Sequence, residues 1–187
     1  MVMAEATNHY FKHLGVSDGL SQVCIPSIYQ DELGAVWLGT TEGLNRYNGK
    51  DVKVFQPSES NHGLTNNEIN ELCGDKNGRM YIRSGNDLIK LDIYTEQFTC
   101  LRQKGVYGLF CKKDTLWVSC ADGIYYYTGQ GTELTFFARV QKGFVGRALY
   151  VDRETVWVVT RKYLVAISRE DPLRQEILLT LDKGNCI

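Results

Sequence analysis

The side chains able to hold a metal or act as nucleophiles are few in this chain. His9 and His13 lie four apart, a spacing that suits a metal on a helix, but they flank an expected strand and are read as no site. His62 stands alone in an expected loop. Six cysteines (Cys24, Cys73, Cys100, Cys111, Cys120 and Cys186) form no CxxC pair and show no metal-like spacing, so they are read mainly as small buried side chains. No Gly-x-Ser-x-Gly elbow or phosphate loop occurs, and "GQG" at 129–131 is more simply a hairpin tip. Asp31, Asp75, Asp114 and Asp152 recur at or near equivalent turns, and such recurrence points to a structural Asx role, because catalytic groups are usually singular. Arg46, Arg83, Arg147 and Arg161 could meet carboxylate or sulfate groups or simply solvate the surface. In "IYYYTG", Tyr125 and Tyr127 should face one side of a strand and Tyr126 the other. Packing explains most of these rings, although exposed Tyr or Trp could also stack on sugars. No catalytic, metal or cofactor residue is assigned, and the ligand-binding residues are left unknown.

Composition sets the outer bounds. A chain of 187 residues with 43% hydrophobic content can bury a real core. The formal net charge is −1, from 21 basic and 22 acidic residues with no basic block, which argues against a nucleic-acid partner. No stretch approaches the roughly 18 uncharged apolar residues of a spanning helix, so a soluble segment is expected. The start "MVMAEATNHY" lacks a secretory signal, yet Ala4-Glu5-Ala6 has the small-x-small look of a cleavage site.

The elements that position these residues are set by a repeat. Trp37, Tyr81, Trp117 and Trp157 head "WLGTTEGLNRY", "YIRSGNDLIKL", "WVSCADGIYYY" and "WVVTRKYLVAI", spaced 44, 36 and 40 residues apart. The seventh residue after each aromatic is apolar (Leu44, Leu88, Ile124, Leu164), and Gly34, Gly78, Asp114 and Glu154 precede the aromatics by three. Residues 19–37 also lie over 63–81 without a gap. Strands of about five residues bounded by Asp, Asn and Gly make short antiparallel hairpins, and helical periodicity is absent. Four such strands every 36 to 44 residues predict an all-β fold of four four-stranded β-propeller blades, a partial propeller. The blades are expected over about 19–56, 63–101, 105–138 and 143–180, after a leading outer strand at about 9–14. Trp37, Tyr81, Trp117, Trp157, Gly43, Leu44, Leu88, Ile124 and Leu164 are the expected structural anchors, with Gly43 permitting the turn that returns Leu44 beside Trp37.

The run "YFKHLGVSDGLSQ…SIYQDELGAVWLGTTEGLNRYNGKDVKVF" resembles the N-terminal start of the periplasmic sensor region of Bacteroides-type hybrid two-component regulators, which are built from two-component-regulator propeller repeats. The likeness is specific over about the first third; the second unit has Tyr81-Ile82-Arg83-Ser84 where Trp-x-Gly-Thr is usual, and the last two keep the Trp and the hairpin rhythm. The resemblance implies a periplasmic location and a receptor that continues into a β-sandwich, a membrane helix, a histidine kinase, a receiver and a DNA-binding domain. No catalytic motif of those parts maps onto this sequence.

The alignment of "HYFKHL" with "VKVF" makes the first segment an expected outer strand, while "QEILLTL" supplies the fourth unit with one of its own. The expected partners are therefore further blades of a larger ring or a second copy of the chain. Three functions follow as expectations. The first is a non-catalytic sensor segment that helps detect a glycan-derived oligosaccharide and relays it to a kinase outside this sequence. The second is a truncated or stand-alone propeller acting as a structural or protein-interaction module. The third, least supported, is a propeller enzyme such as a lyase.

Overall fold

A computed structural model describes residues 12–58, 63–140 and 145–181, except for the side chains of Val145 and Arg147. After a short 3-10 turn at Val16–Asp18, the chain forms four sheets, each of four sequential antiparallel strands. Blade 1 comprises β1 (Ser27–Gln30), β2 (Val36–Thr40), β3 (Gly43–Tyr47) and β4 (Val52–Phe55). Blade 2 comprises β5 (Ile69–Gly74), β6 (Arg79–Ser84), β7 (Asp87–Asp92) and β8 (Gln97–Arg102). Blade 3 holds β9 (Val106–Lys112), β10 (Thr115–Cys120), β11 (Gly123–Tyr127) and β12 (Thr135–Ala138). Blade 4 holds β13 (Val145–Val151), β14 (Thr155–Thr160), β15 (Tyr163–Ser168) and β16 (Gln175–Thr180). Strand pairing in chain order within every sheet is the up-and-down topology of propeller blades.

Short polar turns produce this meander. The Asp31 carboxylate accepts the backbone N–H groups of Leu33 (3.0 Å) and Ala35 (2.9 Å), closing β1 onto β2. Asp75 does the same for Asn77 and Arg79, and Asp152 for Glu154 and Thr155. Asp114 departs from the expected series. It stands three residues before its aromatic rather than five or six, and it accepts from Asn77 Nδ2 of blade 2 at 2.5 Å. The third blade turns instead through Lys113, whose φ is 52°.

Because side chains alternate across a strand, each blade has two apolar faces, and these build three cores in succession. Trp37, Leu44 and Phe55 of blade 1 pack on Ile69, Leu72, Met80, Ile82, Ile89 and Leu91 of blade 2. On the opposite face of blade 2, Tyr81 and Leu88 meet Leu109, Leu116, Val118 and Tyr127. Blade 3 then presents Trp117 and Ile124 to Leu149, Val151, Val156, Val158, Val165 and Ile167. Burying each large apolar side chain contributes roughly 1.5–3 kcal/mol. Backbone bonds to side chains reinforce the cores between inner strands: Leu72 N–H donates to Ser27 Oγ (2.9 Å) and Leu109 N–H to Glu71 Oε2 (3.1 Å).

The expected leading strand is corrected where it can be seen. Residues 9–11 lie outside the described set, and residues 12–14 belong to no strand. The outer position of blade 4 is filled by β16, and the segment after the 3-10 turn docks on blade 1 instead. Ser21 donates its N–H to Asn45 Oδ1 (2.9 Å), its hydroxyl lies 2.9 Å from Thr40 Oγ1, and Leu20 is buried. The matching Leu64 is buried ahead of blade 2, where the Asn66 N–H donates to Ser84 Oγ (3.0 Å) and the Ser84 hydroxyl donates to Asn66 O (2.8 Å).

Candidate functional site

The recurrent aromatics occupy equivalent places. Trp37 and Tyr81 are fully buried and Trp117 is 5% exposed. Trp157 is half-buried, as is Leu164, whereas Leu44, Leu88 and Ile124 are buried. Trp37 donates its indole N–H to Asp31 Oδ2 (2.7 Å), and Trp157 donates to Asp152 Oδ2 (2.8 Å). Each of these carboxylates therefore serves a turn with one oxygen and an indole with the other. In blade 2, Arg79 takes the indole's place beside Asp75. Tyr81 packs edge-on to Tyr127, with centroids 6.0 Å apart, and burial pushes its hydroxyl well up from the ordinary tyrosine value. Gly43 has φ of 127°, and a Cβ there would lie 2.7 Å from the Phe55 carbonyl oxygen.

A second arrangement, not signalled by the repeat, lies between blades 3 and 4. The turn joining β9 to β10, the turn joining β13 to β14 and the turn joining β15 to β16 fall at the same end of their blades. Together they border a cleft of about 530 Å³ lined by Trp117, Tyr126, Phe137, Arg153, Arg169 and Glu170 among others. A contiguous pocket of about 360 Å³ shares Thr115, Trp117, Arg153 and Arg169, and adds Lys112, Lys113 and Asp114. The aromatic wall is a packed group: Trp117 lies 5.0 Å from Phe137 and 5.6 Å from Tyr126, centroid to centroid. Arg169 is held over the Trp117 ring at 5.5 Å. Its Nη1 donates to the carbonyls of Asp152 (3.1 Å) and Arg153 (2.9 Å), and its backbone N–H donates to Glu154 O (2.8 Å). Lys112 donates to Val151 O at 2.8 Å. Four cations against two carboxylates give the cleft a positive potential, and its aromatic wall adds an apolar surface. Such a lining can hold an anionic ligand that carries a ring. Among the described residues no group of three or more His, Cys, Asp or Glu side chains is placed to bind a metal.

Of the arginines singled out in the sequence, Arg46 pairs with Glu96 (3.1 Å) above Trp37, and Arg83 is buried, bonded to Gly85 O (3.0 Å) and Glu71. Both act within the fold. Arg161 is exposed at the turn after β14, and the Arg147 side chain, His9 and His62 lie outside the described residues. Gly129 and Gly131 sit in the loop between β11 and β12, with Tyr127 OH donating to Gly131 O (2.7 Å). Tyr126 faces Trp117 while Tyr125 and Tyr127 face blade 2, as alternation requires. Arg153 and Arg169 were not legible as site residues, because nothing local distinguishes them from other turn arginines.

Fold and repeated Asp–aromatic turn define a segment of a β-propeller. Residues 19–42 match the family described as two component regulator propeller. A stretch of 53 residues is 40% identical to histidine kinase P4 of Formosa agariphila, covering 28% of this chain and 4% of that protein. The extracellular domain of a Bacteroides thetaiotaomicron hybrid two-component system superposes with a TM-score of 0.74 at 21% identity, over 90% of this chain and 26% of that one. The extracellular domain of a one-component system from the same organism gives a TM-score of 0.71 at 19% identity, over 90% and 27%. The chain thus spans about a quarter of the length of these solved domains. Among the described residues no helix is long and apolar enough to cross a membrane.

Proposed function

We propose that this chain is a non-catalytic, extracytoplasmic propeller segment of a two-component receptor. It helps to detect an anionic oligosaccharide and relays binding to a histidine kinase carried elsewhere in a longer protein. The observation that carries this reading is the cleft between blades 3 and 4, in which Arg169 is locked over Trp117 and Arg153 lies beside it with no ion pair among the described residues. Arginine matches the geometry of carboxylate and sulfate, and the aromatic wall suits the apolar face of a sugar ring. The match to two-component regulator propeller repeats and the extracellular domains it superposes on support the receptor context and a periplasmic location.

Titration calorimetry with uronate-bearing, sulfated and neutral oligosaccharides tests the reading. Acidic sugars should bind with an affinity that falls as salt is raised, and Arg153→Ala should weaken binding about tenfold, as expected for one lost charged hydrogen bond. Binding of neutral sugars alone, or undiminished binding to the variant, would remove this cleft from consideration.

One observation favours a second reading, that of an interaction module. The outer face of blade 4 presents Leu179 at 54% exposure beside half-buried Trp157 and Leu164, while the equivalent faces of blades 1 to 3 are covered by the next blade. A further blade or a second copy fits this face, and sedimentation showing concentration-dependent self-association would favour the copy.

A further inference from the structure

Cys73 lies on the inner strand of blade 2 and Cys111 on the inner strand of blade 3, and their Sγ atoms are 2.7 Å apart. That is closer than non-bonded heavy atoms ordinarily approach, about 3.5 Å even for carbon. A second contact joins the same two inner strands: two residues earlier on both, the Glu71 carboxylate accepts the Leu109 N–H at 3.1 Å. Both residues are half-buried. The remaining described cysteines are elsewhere: Cys24 is exposed ahead of β1, Cys100 is half-buried on the outer strand of blade 2, and Cys120 is buried with its thiol pushed up to about 12 by burial.

We propose that Cys73 and Cys111 are a redox-active pair that closes into an inter-blade disulfide in an oxidising compartment. Formation joins the two Sγ atoms in one S–S bond and releases two protons and two electrons. The electrons pass to a disulfide-bearing oxidant through a mixed disulfide, and the oxidant's own S–S bond is reduced to two thiols. Burial, reinforced by the neighbouring Cys111, pushes the Cys73 thiol well up from its ordinary value. Cys73 is therefore a poor thiolate once packed, and oxidation is fastest before blades 2 and 3 close on each other. The bond would span 38 residues of sequence and fix the two blades at their inner strands.

The test uses the full chain, refolded with oxidised and reduced glutathione, alkylated, and mapped by mass spectrometry. The expected result is a single linked peptide pair carrying Cys73 and Cys111, lighter by two hydrogens than the reduced pair, with the other four cysteines alkylated. The oxidised chain should melt roughly 5–10 °C above the reduced one, a difference that Cys73→Ser abolishes. If Cys73→Ser fails to fold, the peptide map of the unaltered chain decides alone. Six alkylated cysteines after oxidation, glutathione adducts at Cys73 and Cys111, or links involving Cys24 or Cys186 instead would overturn the proposal.

Discussion

At the scale of single residues, the fold depends on carboxylates that serve two purposes at once. Asp31 is 4% exposed and accepts three hydrogen bonds, two from its own turn and one from the Trp37 indole. Asp31→Ala leaves three donors without their acceptor, and a loss of about 2–4 kcal/mol is expected in urea unfolding. Asp152 makes the same set at the surface. The Trp157 indole, followed by the backbone N–H groups of Glu154 and Thr155, holds its carboxyl below the ordinary value. Asp92 is lowered by the backbone N–H of Thr95, with burial opposing. A depressed folded value means stability that is present above the unfolded carboxylate value, near 4, and is lost as pH falls through the folded one. The urea midpoint should therefore fall steeply below about pH 4. Asp152→Asn should be less stable than the unaltered chain at pH 6, and the gap should narrow toward pH 3; a gap that stays constant with pH would show that Asp152 acts sterically alone.

At the scale of strands and turns, legibility follows locality. Strand lengths and turn chemistry were readable because a tight turn restricts which residues can occupy it, and the indole at the head of β2 and β14 is tied to an Asp five or six residues earlier. Gly43 shows how strict such a restriction can be. With φ of 127° and the Phe55 carbonyl oxygen 2.7 Å from where a Cβ would sit, Gly43→Ala combines backbone strain with a clash and should cost about 2–4 kcal/mol. Gly34, with φ of 85° and open space around it, should tolerate Ala at about 1 kcal/mol, so paired denaturation curves separate the clash from the strain. The leading segment was read from the match of "HYFKHL" to an outer strand, and its described part, residues 12–14, lies in no strand, because pattern alone does not supply a pairing partner. The cleft was illegible for a different reason: Trp117 and Arg169 meet only after two blades have formed and packed, and no local spacing encodes that meeting.

At the scale of the whole molecule, the three cores are equivalent interfaces in a row, each joining the face of one blade that carries Trp37, Tyr81 or Trp117 to the next blade. Trp37 and Trp117 lie inside such interfaces and Trp157 does not. Acrylamide should quench Trp157 strongly and the other two weakly, measured on variants that keep one indole each; equal quenching of all three would contradict this packing order. The same one-sidedness has a meaning as the chain enters the compartment where it folds. A chain that arrives N-terminus first completes blade 1 with its aromatic wall bare, and the strands that cover it follow one repeat of some 40 residues later. Growth of the arc is thus templated in one direction, with at most one unsatisfied wall at the growing end.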